Sequence, residues 1–475
     1  MAFIRNIPSL KTQASATRIL TLNHTTIPMK ISFALGALAL LPGLLHAGEP
    51  PAGFKSLYNG KDLSGWFGWG TRDPRDLLAM TPAQLAEYKK QSIEGGAAAK
   101  GDYINAHWKA NGEEIVNDGN GLYLTTDKDY GDIELLVDYK MLPKGDSGIY
   151  LRGVPQIQIW DFTDPAKFGI GANKGSGGLW NNQAGAAGKD PLVLADKPFG
   201  EWNHFRIIMV GSRVTVWLNE KLVVDHAIFE NYFDKGLPPA QRRPILPKGP
   251  IQLQTHGSEI RWKNVFVREI GSDEANRILS GKGGDGFESA FNGKDMTGWA
   301  GPVDCLKVEQ GEINWLAGKG GTPYWNTELT DFVARLEFNL PAGGNNGLAI
   351  RYPGTGNTAY DGMTELQVLD DNYEKVKGPI DPRQVHGSVY GMVGAARGYQ
   401  HPIGEWNFQE VTVQGSKIKV ELNGTVILDT DLSKIDMATV MAKSAHPGKD
   451  NAKGFFGFAG HNDPVRFRAV RIKKL

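Results

Sequence analysis

The chain has almost no cysteine and no excess charge of either sign. Cys305 is the single cysteine among 475 residues, so neither an intrachain disulfide nor a thiolate metal cluster can form. The 52 basic side chains equal the 52 acidic ones, and this balance argues against a nucleic-acid partner, which requires an excess of Lys and Arg. Disorder throughout is also excluded, because 41% hydrophobic and 22% charged residues are typical of globular domains.

Long hydrophobic runs are scarce too, and the one that stands out lies near the start of the chain. A cationic start at Met29 is followed by an apolar run over residues 31–42, and small Ala47 comes shortly after it. This pattern predicts a secretory signal over residues 1–47, because the run is short for a bilayer span; an uncleaved anchor is the alternative. The polar residues 1–28 suggest that translation starts at Met29. After signal removal we expect a secreted or periplasmic protein with no stable membrane span.

An internal repeat organises the rest of the chain. Residues 59–66 (NGKDLSGW) return as residues 292–299 (NGKDMTGW), and residues 200–203 (GEWN) return unchanged as residues 404–407. Because further motifs recur in the same order, the sequence predicts two copies of one domain. Each copy, at about 200 residues, is long enough to bury its own core.

The predicted domains cover residues 54–270 and 287–475, joined by a linker over residues 271–286. The first copy carries extra residues after its first motif. Within them, residues 81–89 (TPAQLAEYK) combine an N-cap threonine, a proline at the first helical position and good helix formers. We therefore expect a short helical insertion, which is a lid, a docking helix or an insertion without a role.

Both copies alternate apolar and polar residues with a period of two. In the first copy, residues 207–210 and 213–218 flank a Gly-Ser turn, and residues 411–414 and 417–422 do the same in the second. Two such runs around a short turn predict a β-hairpin. The 60 glycines also favour strands joined by tight turns over helices. The sequence therefore predicts an all-β fold with an antiparallel sandwich in each copy.

Three ordered motifs carry a family resemblance: the Asn-Gly-Lys-Asp-x-x-Gly-Trp start, the Gly-Glu-Trp-Asn before a hairpin, and a histidine before the last strand. With them, both copies resemble the 3-keto-disaccharide hydrolase family, also described as 3-keto-glucoside 1,2-lyase or 3-keto-2-hydroxyglucal hydratase domains. The resemblance implies two tandem concanavalin A-like (laminin-G-like) jelly-roll sandwiches. It also implies a glycan or oxidised disaccharide as substrate.

The strand around Glu365 is the main candidate for the active groove. Alternation places Glu365 and Gln367 on one face and the apolar residues between them on the other. The resemblance implies that this Glu-x-Gln-x-x-Asp strand, which ends at Asp370, belongs to the family's active groove. The alternative is that Glu365 only bonds a neighbouring strand.

The first copy departs from this pattern. Gln156 stands where the second copy has its glutamate, while Gln158 and Asp161 match. A carboxylate accepts a proton near neutral pH and a carboxamide does not, so the second copy is expected to hold the more complete site. The first copy could still bind sugar, because amides are good partners for hydroxyl groups.

Other candidates recur in both copies. Arg152 and Arg351 could each hold an enolate or a sugar oxygen, or form only surface ion pairs. His256 and His461 are expected at the start of the last strand of each copy, where a histidine is a proton shuttle, a metal ligand or a structural residue.

Two tryptophans of the first copy are candidates for sugar stacking. Trp160 and Trp180 lie in or beside the polar-faced strand, whereas the tryptophans of the repeated motifs are expected as core anchors. The loops 175–182 and 386–391 correspond between the copies and are expected to form groove edges.

The family's substrate suggests a mechanism. A ketone at C3 acidifies the C2 hydrogen, so a base can remove it, the C1 substituent leaves, and water then adds back. We expect Glu365 or Asp370 as the base, Arg351 or a divalent cation as the enolate stabiliser, and His461 as the proton shuttle. An oxygen-ligated cation at Glu365, Asp370 and Asp371 is conceivable. The alternatives are a non-catalytic carbohydrate-binding protein and a structural spacer.

Overall fold

A computed structural model describes residues 48–96 and 101–475 of the chain. The predicted signal over residues 1–47 lies outside the described residues. Within the described ranges, no helix has the length and hydrophobicity of a membrane-spanning segment.

The first copy is a sandwich of two antiparallel sheets. Over the described residues, one sheet has the order β11-β10-β9-β6-β13-β4-β3 with β1 beside β13, and the other has the order β2-β5-β12-β7-β8. The strands are β1 (Lys55–Ser56), β2 (Trp66–Trp69), β3 (Trp108–Asn111), β4 (Glu114–Asn117), β5 (Tyr123–Thr126), β6 (Ile133–Met141), β7 (Asp146–Leu151), β8 (Val154–Trp160), β9 (Asn203–Val210), β10 (Arg213–Leu218), β11 (Lys221–Ile228), β12 (Gln252–Leu253) and β13 (Ile260–Glu269). The helices are α1 (Arg75–Leu78), α2 (Pro82–Glu94) and α3 (Ile104–His107).

The second copy repeats this arrangement after the linker helix α4 (Ser272–Gly281). One sheet has the order β16-β17-β27-β20-β23-β24-β25 with β14 beside β27, and the other has β15-β19-β26-β21-β22 with β18 beside β26. The strands are β14 (Glu288–Ser289), β15 (Trp299–Ala300), β16 (Leu306–Glu309), β17 (Glu312–Trp315), β18 (Gly320–Gly321), β19 (Tyr324–Trp325), β20 (Phe332–Asn339), β21 (Asn345–Tyr352), β22 (Thr364–Leu369), β23 (Asn407–Gln414), β24 (Lys417–Leu422), β25 (Thr425–Asp431), β26 (Phe455–His461) and β27 (Arg466–Lys474). The helices are α5 (Thr358–Asp361) and α6 (Tyr373–Lys377).

Each copy has its own apolar core between its two sheets. Trp262 and Tyr139 are fully buried in the first core, and Phe338 and Phe467 are fully buried in the second. The alternating pattern of the strands produces these cores, because one face of each sheet is apolar. The prediction of an all-β fold with two tandem jelly-roll sandwiches is confirmed.

The helical insertion of the first copy is α2, as the sequence predicts. Thr81 caps it: its side chain accepts the Gln84 N–H (3.3 Å), and the Gln84 side chain accepts the Thr81 N–H (2.8 Å). Tyr88 packs edge-on against Trp69, with ring centroids 5.1 Å apart, and donates to the Gly68 carbonyl (3.0 Å). The insertion therefore covers the side of β2 that is turned away from the core.

A charged clasp closes over the same sheet. Asp234 is 1% exposed and accepts hydrogen bonds from Arg75 in α1 (2.7 Å) and from Arg243 (3.1 Å). Burial alone would raise the pKa of Asp234, but these guanidinium groups hold it well below its usual range. Pro74 sits so close to the β7–β8 turn that a Cβ at Gly153 would lie 2.9 Å from it. The clasp therefore crosses the sheet from its β2 edge towards β8.

The two copies pack directly on each other through α4 and two hairpin turns. Ala275 and Leu279 of α4 lie in one apolar cluster with Val210 of the first copy and Phe408 of the second. The backbone N–H of Ser212, in the β9–β10 turn, donates to the Gly424 carbonyl (3.1 Å) in the β24–β25 turn.

A buried carboxylate crosses the junction between the copies. Glu421 is 1% exposed and accepts from Arg213 of the first copy (3.0 Å) and from Lys282 after α4 (2.9 Å). Burial alone would raise the pKa of Glu421, but the hydrogen bonds of Arg213 and the charge of Lys282 lower it to about 2. This ion-pair network links the first copy, the linker and the second copy.

Replacing Glu421 by Gln should lower the free energy of unfolding by about 3 to 5 kcal/mol, because Arg213 and Lys282 would stay in place without their counter-charge. In the wild type, stability should fall as the pH drops from 4.5 towards 2, since the unfolded carboxyl group binds a proton there and the folded one does not. Calorimetry at several pH values measures both effects. The control is Glu309→Gln, which breaks an exposed pair with Lys307 and should cost less than about 1 kcal/mol. Equal losses in the two variants would contradict the prediction.

Candidate active site

The strand β22 presents its polar residues to one side, as its alternation predicts. Leu366 and Val368 belong to the core cluster, so Glu365 and Gln367 point to the opposite side. In the neighbouring strand β21, Ala349 is opposite Glu365. The glutamate therefore lies on the outer side of the six-stranded sheet.

Small residues form the floor beside this glutamate. Gly347 and Ala349 of β21 pair with Ala459 and Gly457 of β26, and all four share the side that carries Glu365. We call the side that these residues form the groove face. At Gly347 a Cβ atom would clash with the Glu365 carboxylate, so a glycine is required for this close approach.

Glu365 and His461 form a hydrogen-bonded pair on the groove face. The Glu365 Oε1 atom lies 3.0 Å from the His461 Nε2 atom. Glu365 is only 4% exposed, whereas the His461 side chain is 41% exposed. Because a carboxylate accepts, Nε2 carries the hydrogen, and Nδ1 of His461 has no hydrogen-bond partner among the described residues. The hydrogen bond to Glu365 raises the pKa of His461 against the opposing effect of burial.

A cavity of about 410 Å³ opens above this pair. Its walls include Tyr360 and Tyr390, and its rim includes Thr322 and Thr358, whose hydroxyl oxygens lie 2.6 Å apart. Among the described residues that line it, no lysine or arginine is present. The cavity therefore offers hydroxyl groups, aromatic rings and one carboxylate–imidazole pair, but no fixed cation.

Tyr390 is held tightly in the wall of the cavity. Its backbone N–H donates to the carbonyl of Glu365 (3.0 Å), and its Oη accepts from Nε2 of Gln384 (3.1 Å). Burial raises the pKa of Tyr390, which therefore stays protonated at neutral pH.

Arg351 does not reach this cavity, contrary to expectation. Its Nε and Nη1 atoms donate to the carbonyls of Thr330 (2.7 Å), Gly415 (2.9 Å) and Asn451 (3.0 Å), and Nη2 donates to Asp331 (2.7 Å). A guanidinium engaged in this way connects loops, and Arg351 is not among the residues that line the cavity. Arg351 is therefore a structural residue in this fold.

Asp370 is also placed outside the cavity. Its carboxylate accepts the backbone N–H groups of Gly343 (2.8 Å) and Asn372 (2.9 Å), so it stabilises a turn. Asp371 accepts the N–H of Gly398 (2.9 Å), and its pKa is raised by burial. Among the described residues, no three His, Cys, Asp or Glu side chains are grouped as a metal site, so the expected cation site at Glu365, Asp370 and Asp371 does not form.

Gln367 lies beside the glutamate without contacting the histidine. Its Nε2 donates to Asn345 (2.6 Å), while its buried Oε1 has no partner among the described residues. The amide therefore has an acceptor to offer on the groove side of β22.

In the first copy, large residues replace the small floor. The register aligns Tyr150, Gln252 and Gln254 with Ala349, Gly457 and Ala459 of the second copy. The Tyr150 hydroxyl bonds to Thr71 (3.0 Å), just beyond β2. The first copy therefore fills this side of the sheet with large side chains where the second copy has small ones.

In the first copy, the polar residues that correspond to Glu365 and Gln367 bond to each other. Gln156 donates to Gln158, and Gln158 donates to Asp146 (2.9 Å). The exposed His256 lies 3.5 Å from Asp146, so its carboxylate partner is on a different strand from that of His461. Without a carboxylate at position 156, the dyad of the second copy is not reproduced.

Arg152 and Asp161 have structural positions like those of their counterparts. Arg152 donates to the Leu246 carbonyl and to Asp132 (both 3.0 Å), and Asp161 accepts from the backbone of Lys144 (2.7 Å). Neither contacts the row of glutamines, so the expected sugar contacts of these two residues are not supported by the geometry.

The two candidate tryptophans lie together at the edge of this sheet. Their ring centroids are 6.0 Å apart, and both indole nitrogens are satisfied by carbonyls: Trp160 by Gly175 (2.8 Å) and Trp180 by Ile170 (3.0 Å). Trp160 is 3% exposed, so only Trp180 is open enough to stack on a ligand.

Tyr390 and Tyr360 are among the residues lining the cavity that the sequence did not single out. The loop 386–391 was expected as a groove edge, but no residue within it was identified. The backbone N–H groups of Gln158 and Gln367 donate to carbonyls two residues before Trp180 and Tyr390 (2.9 and 3.1 Å). Aligning the two loops on these strands would have paired Tyr390 with the tryptophan that was selected.

Replacing Glu365 by Gln should lower the pKa of His461, because the hydrogen bond to the carboxylate is what raises it. An NMR titration of the His461 ring protons measures this change. The control is Gln367→Ala, which removes a neighbouring amide that does not contact the imidazole and should leave the titration unchanged. An unaltered titration of His461 in the Glu365→Gln variant would show that the dyad does not form.

Replacing Gly347 by Ala should have the same effect on His461 without removing any titratable group. The new Cβ would displace the Glu365 carboxylate and break its hydrogen bond to the imidazole. The same titration measures the result. Gly320→Ala is the control, since a Cβ there meets no atom closer than 3.5 Å. A wild-type titration in Gly347→Ala would show that the carboxylate does not depend on this glycine.

Comparison with known proteins finds similarities over parts of the chain. The chain is 26% identical over 265 residues to a 3-keto-disaccharide hydrolase of Bacteroides thetaiotaomicron, which covers 48% of this chain and 91% of that protein. A candidate glycosyl hydrolase of Parabacteroides distasonis is 25% identical and has a TM-score of 0.35 over 40% of this chain and 94% of its own. The carbohydrate-binding module CBM66 of Bacillus subtilis is 13% identical, with a TM-score of 0.23 over 38% of this chain and 96% of its own.

The family itself is shown by a sequence match over most of the chain. The family model described as the 3-keto-alpha-glucoside-1,2-lyase-like domain matches twice, over residues 53–268 and 286–473. The resemblance of the repeated motifs is thereby confirmed. The chain belongs to the 3-keto-alpha-glucoside-1,2-lyase-like domain family and contains two copies of its domain.

Proposed function

We propose that the protein hydrolyses 3-keto-glycosides and that the second copy carries out the reaction. The observation that carries this proposal is the Glu365–His461 pair in the lining of a cavity of about 410 Å³. The name of the Bacteroides relative supports an oxidised disaccharide as the substrate. The signal pattern near Met29 supports a secreted or periplasmic location, where such glycans are available.

The first step is removal of the C2 proton. Because Nε2–H of His461 donates to Glu365, Nδ1 is the free nitrogen and acts as the base. The C2–H bond breaks, the proton moves to Nδ1, and the electron pair forms a C2=C3 bond with negative charge on the C3 oxygen. Glu365 stabilises the imidazolium and fixes the ring. This assignment makes His461 the base and Glu365 its positioning residue, instead of Glu365 the base.

The second step breaks the glycosidic bond. The C3 carbonyl re-forms, a C1=C2 bond forms, and the C1–O bond breaks, while the imidazolium returns its proton to the departing oxygen. Water then adds across the enone: its oxygen bonds to C1 and a proton returns to C2. The products are a 3-keto sugar and the second sugar, which amounts to net hydrolysis.

The lining of the cavity favours an uncharged sugar. A phosphorylated or uronic substrate needs a cation, and no lysine or arginine lines the cavity among the described residues. Hydroxyl groups of Thr322 and Thr358 and the amide of Asn357 suit sugar hydroxyls instead.

The first copy favours a second candidate role, carbohydrate binding without turnover. Its glutamine row is buried and bonded to itself, so this role rests on the half-exposed Trp180 at the edge of the sheet, which can stack on a sugar ring.

The test is turnover of a 3-keto-disaccharide and of its unoxidised counterpart by the mature protein. We expect cleavage of the first only, because only a C3 ketone acidifies the C2 hydrogen, and reaction in deuterium oxide should place deuterium at C2 of the product. His461→Ala should lower kcat/KM by about 10²- to 10⁴-fold, the usual contribution of a general base.

The matched control is His204→Ala, which removes a histidine paired with Asp138 (2.6 Å) on the other sheet of the first copy. Its activity should equal that of the wild type. Glycan binding without cleavage of the oxidised disaccharide would replace the proposal by the binding role. Equal cleavage of both sugars would rule out the C2 elimination.

A further inference from the structure

The elimination needs a hydrogen-bond donor for the C3 oxygen, and the expected donor is absent from the groove. Negative charge develops on this oxygen when the C2 proton leaves, and a preorganised donor lowers the barrier. Arg351 cannot supply it, because its nitrogens already bond to three carbonyls and to Asp331. The lining of the cavity must therefore contain another donor.

Tyr390 has a hydroxyl hydrogen available for this role. The Gln384 side chain is oriented without ambiguity, because its Oε1 accepts the backbone N–H of Asp381 (3.0 Å). Its Nε2 must then face the Tyr390 Oη (3.1 Å), which acts as the acceptor in that bond. The hydrogen of the Tyr390 hydroxyl has no acceptor among the described residues, so it can be donated to a ligand.

The position of this hydroxyl is fixed relative to the base. The backbone N–H of Tyr390 donates to the Glu365 carbonyl (3.0 Å), and both side chains line the same cavity as His461. The Tyr390 ring packs edge-on against Tyr360, with centroids 6.5 Å apart. A donor held by a neighbouring strand, a glutamine and an aromatic ring requires little reorganisation when the charge forms.

The first copy lacks both parts of this arrangement. Trp180 stands at the position of Tyr390, and its only donor, Nε1–H, already bonds to the Ile170 carbonyl (3.0 Å). Gln156 stands at the position of Glu365. The hydroxyl donor and the carboxylate therefore occur together in the second copy and are replaced together in the first.

We infer that Tyr390 donates its hydroxyl hydrogen to the C3 oxygen of the 3-keto sugar and stabilises the enolate formed by His461. This role rests on the proposed function. The phenol keeps its proton throughout, because the C2 proton goes to His461. The O–H bond of Tyr390 does not break, and its hydrogen bond to the substrate oxygen becomes shorter as the negative charge develops. Tyr390 is thus a catalytic residue that contacts the reacting atoms.

The test is Tyr390→Phe, assayed on the 3-keto-disaccharide. The variant keeps the ring and its packing on Tyr360, so we expect kcat to fall by about 10²- to 10³-fold, the usual loss for one oxyanion donor, with KM changed much less. The control is Tyr58→Phe, which removes a hydroxyl that donates to the Gly112 carbonyl (2.8 Å) in the first copy. Its kcat should equal that of the wild type.

A second measurement covers the case in which Tyr390→Phe does not fold. Incorporation of 3-fluorotyrosine at position 390 preserves the hydroxyl and lowers the pKa of the phenol, so the alkaline limb of the kcat profile should move to lower pH. An unchanged alkaline limb, or a kcat for Tyr390→Phe within twofold of the wild type, would overturn the role of Tyr390 alone. Absence of turnover by the wild type would overturn the proposed function itself.

Discussion

The contact between the Glu365 carboxylate and the backbone of Gly347 determines the chemistry of the site. A carboxylate that is 4% exposed has lost most of its hydration and must be paired to remain charged. It is paired by a single imidazole, His461, and because Nε2 is used in that bond, the orientation and the free nitrogen of the ring are both fixed. Because Gly347 has no Cβ, the Glu365 carboxylate can lie against it and bond to His461. This hydrogen bond in turn raises the pKa of the half-exposed histidine.

The two copies show which parts of the fold are needed for packing and which for the groove. Both retain an arginine at the end of the fourth strand in the sheet order (Arg152 after β7, Arg351 within β21) and an aspartate directly after β8 or β22. In both copies these residues bond to backbone groups. The differences are concentrated on the groove face, where Tyr150 and Gln254 replace Ala349 and Ala459. The arginine and the aspartate therefore recur as structural residues, whereas Glu365 and Tyr390 are replaced by Gln156 and Trp180 in the first copy.

This distinction explains how far the sequence could predict the site. Alternation along β22 placed Glu365 and Gln367 correctly, because the period of a strand is a local property. Arg351 was expected in the groove because an arginine recurs there in both copies, and Asp370 because the family resemblance implies it. Two partners of Arg351, Gly415 and Asn451, lie 64 and 100 residues away and are set by loop packing that no local pattern encodes. The start of α2 was predictable because its signal is local: the capping box that begins the helix lies within four residues.

The loop that carries Tyr390 also connects the groove to the junction between the copies. At one end Tyr390 is bonded to the backbone of β22, and nine residues later the Tyr399 hydroxyl donates to the Ile245 carbonyl of the first copy (3.0 Å). Ile245 comes two residues after Arg243. Arg243 and Arg75 both donate hydrogen bonds to Asp234. The first copy thus anchors one wall of the groove through the Tyr399–Ile245 hydrogen bond. A filled face and a charged clasp are physically suited to this purpose, because an anchor must not move when a ligand enters the neighbouring copy.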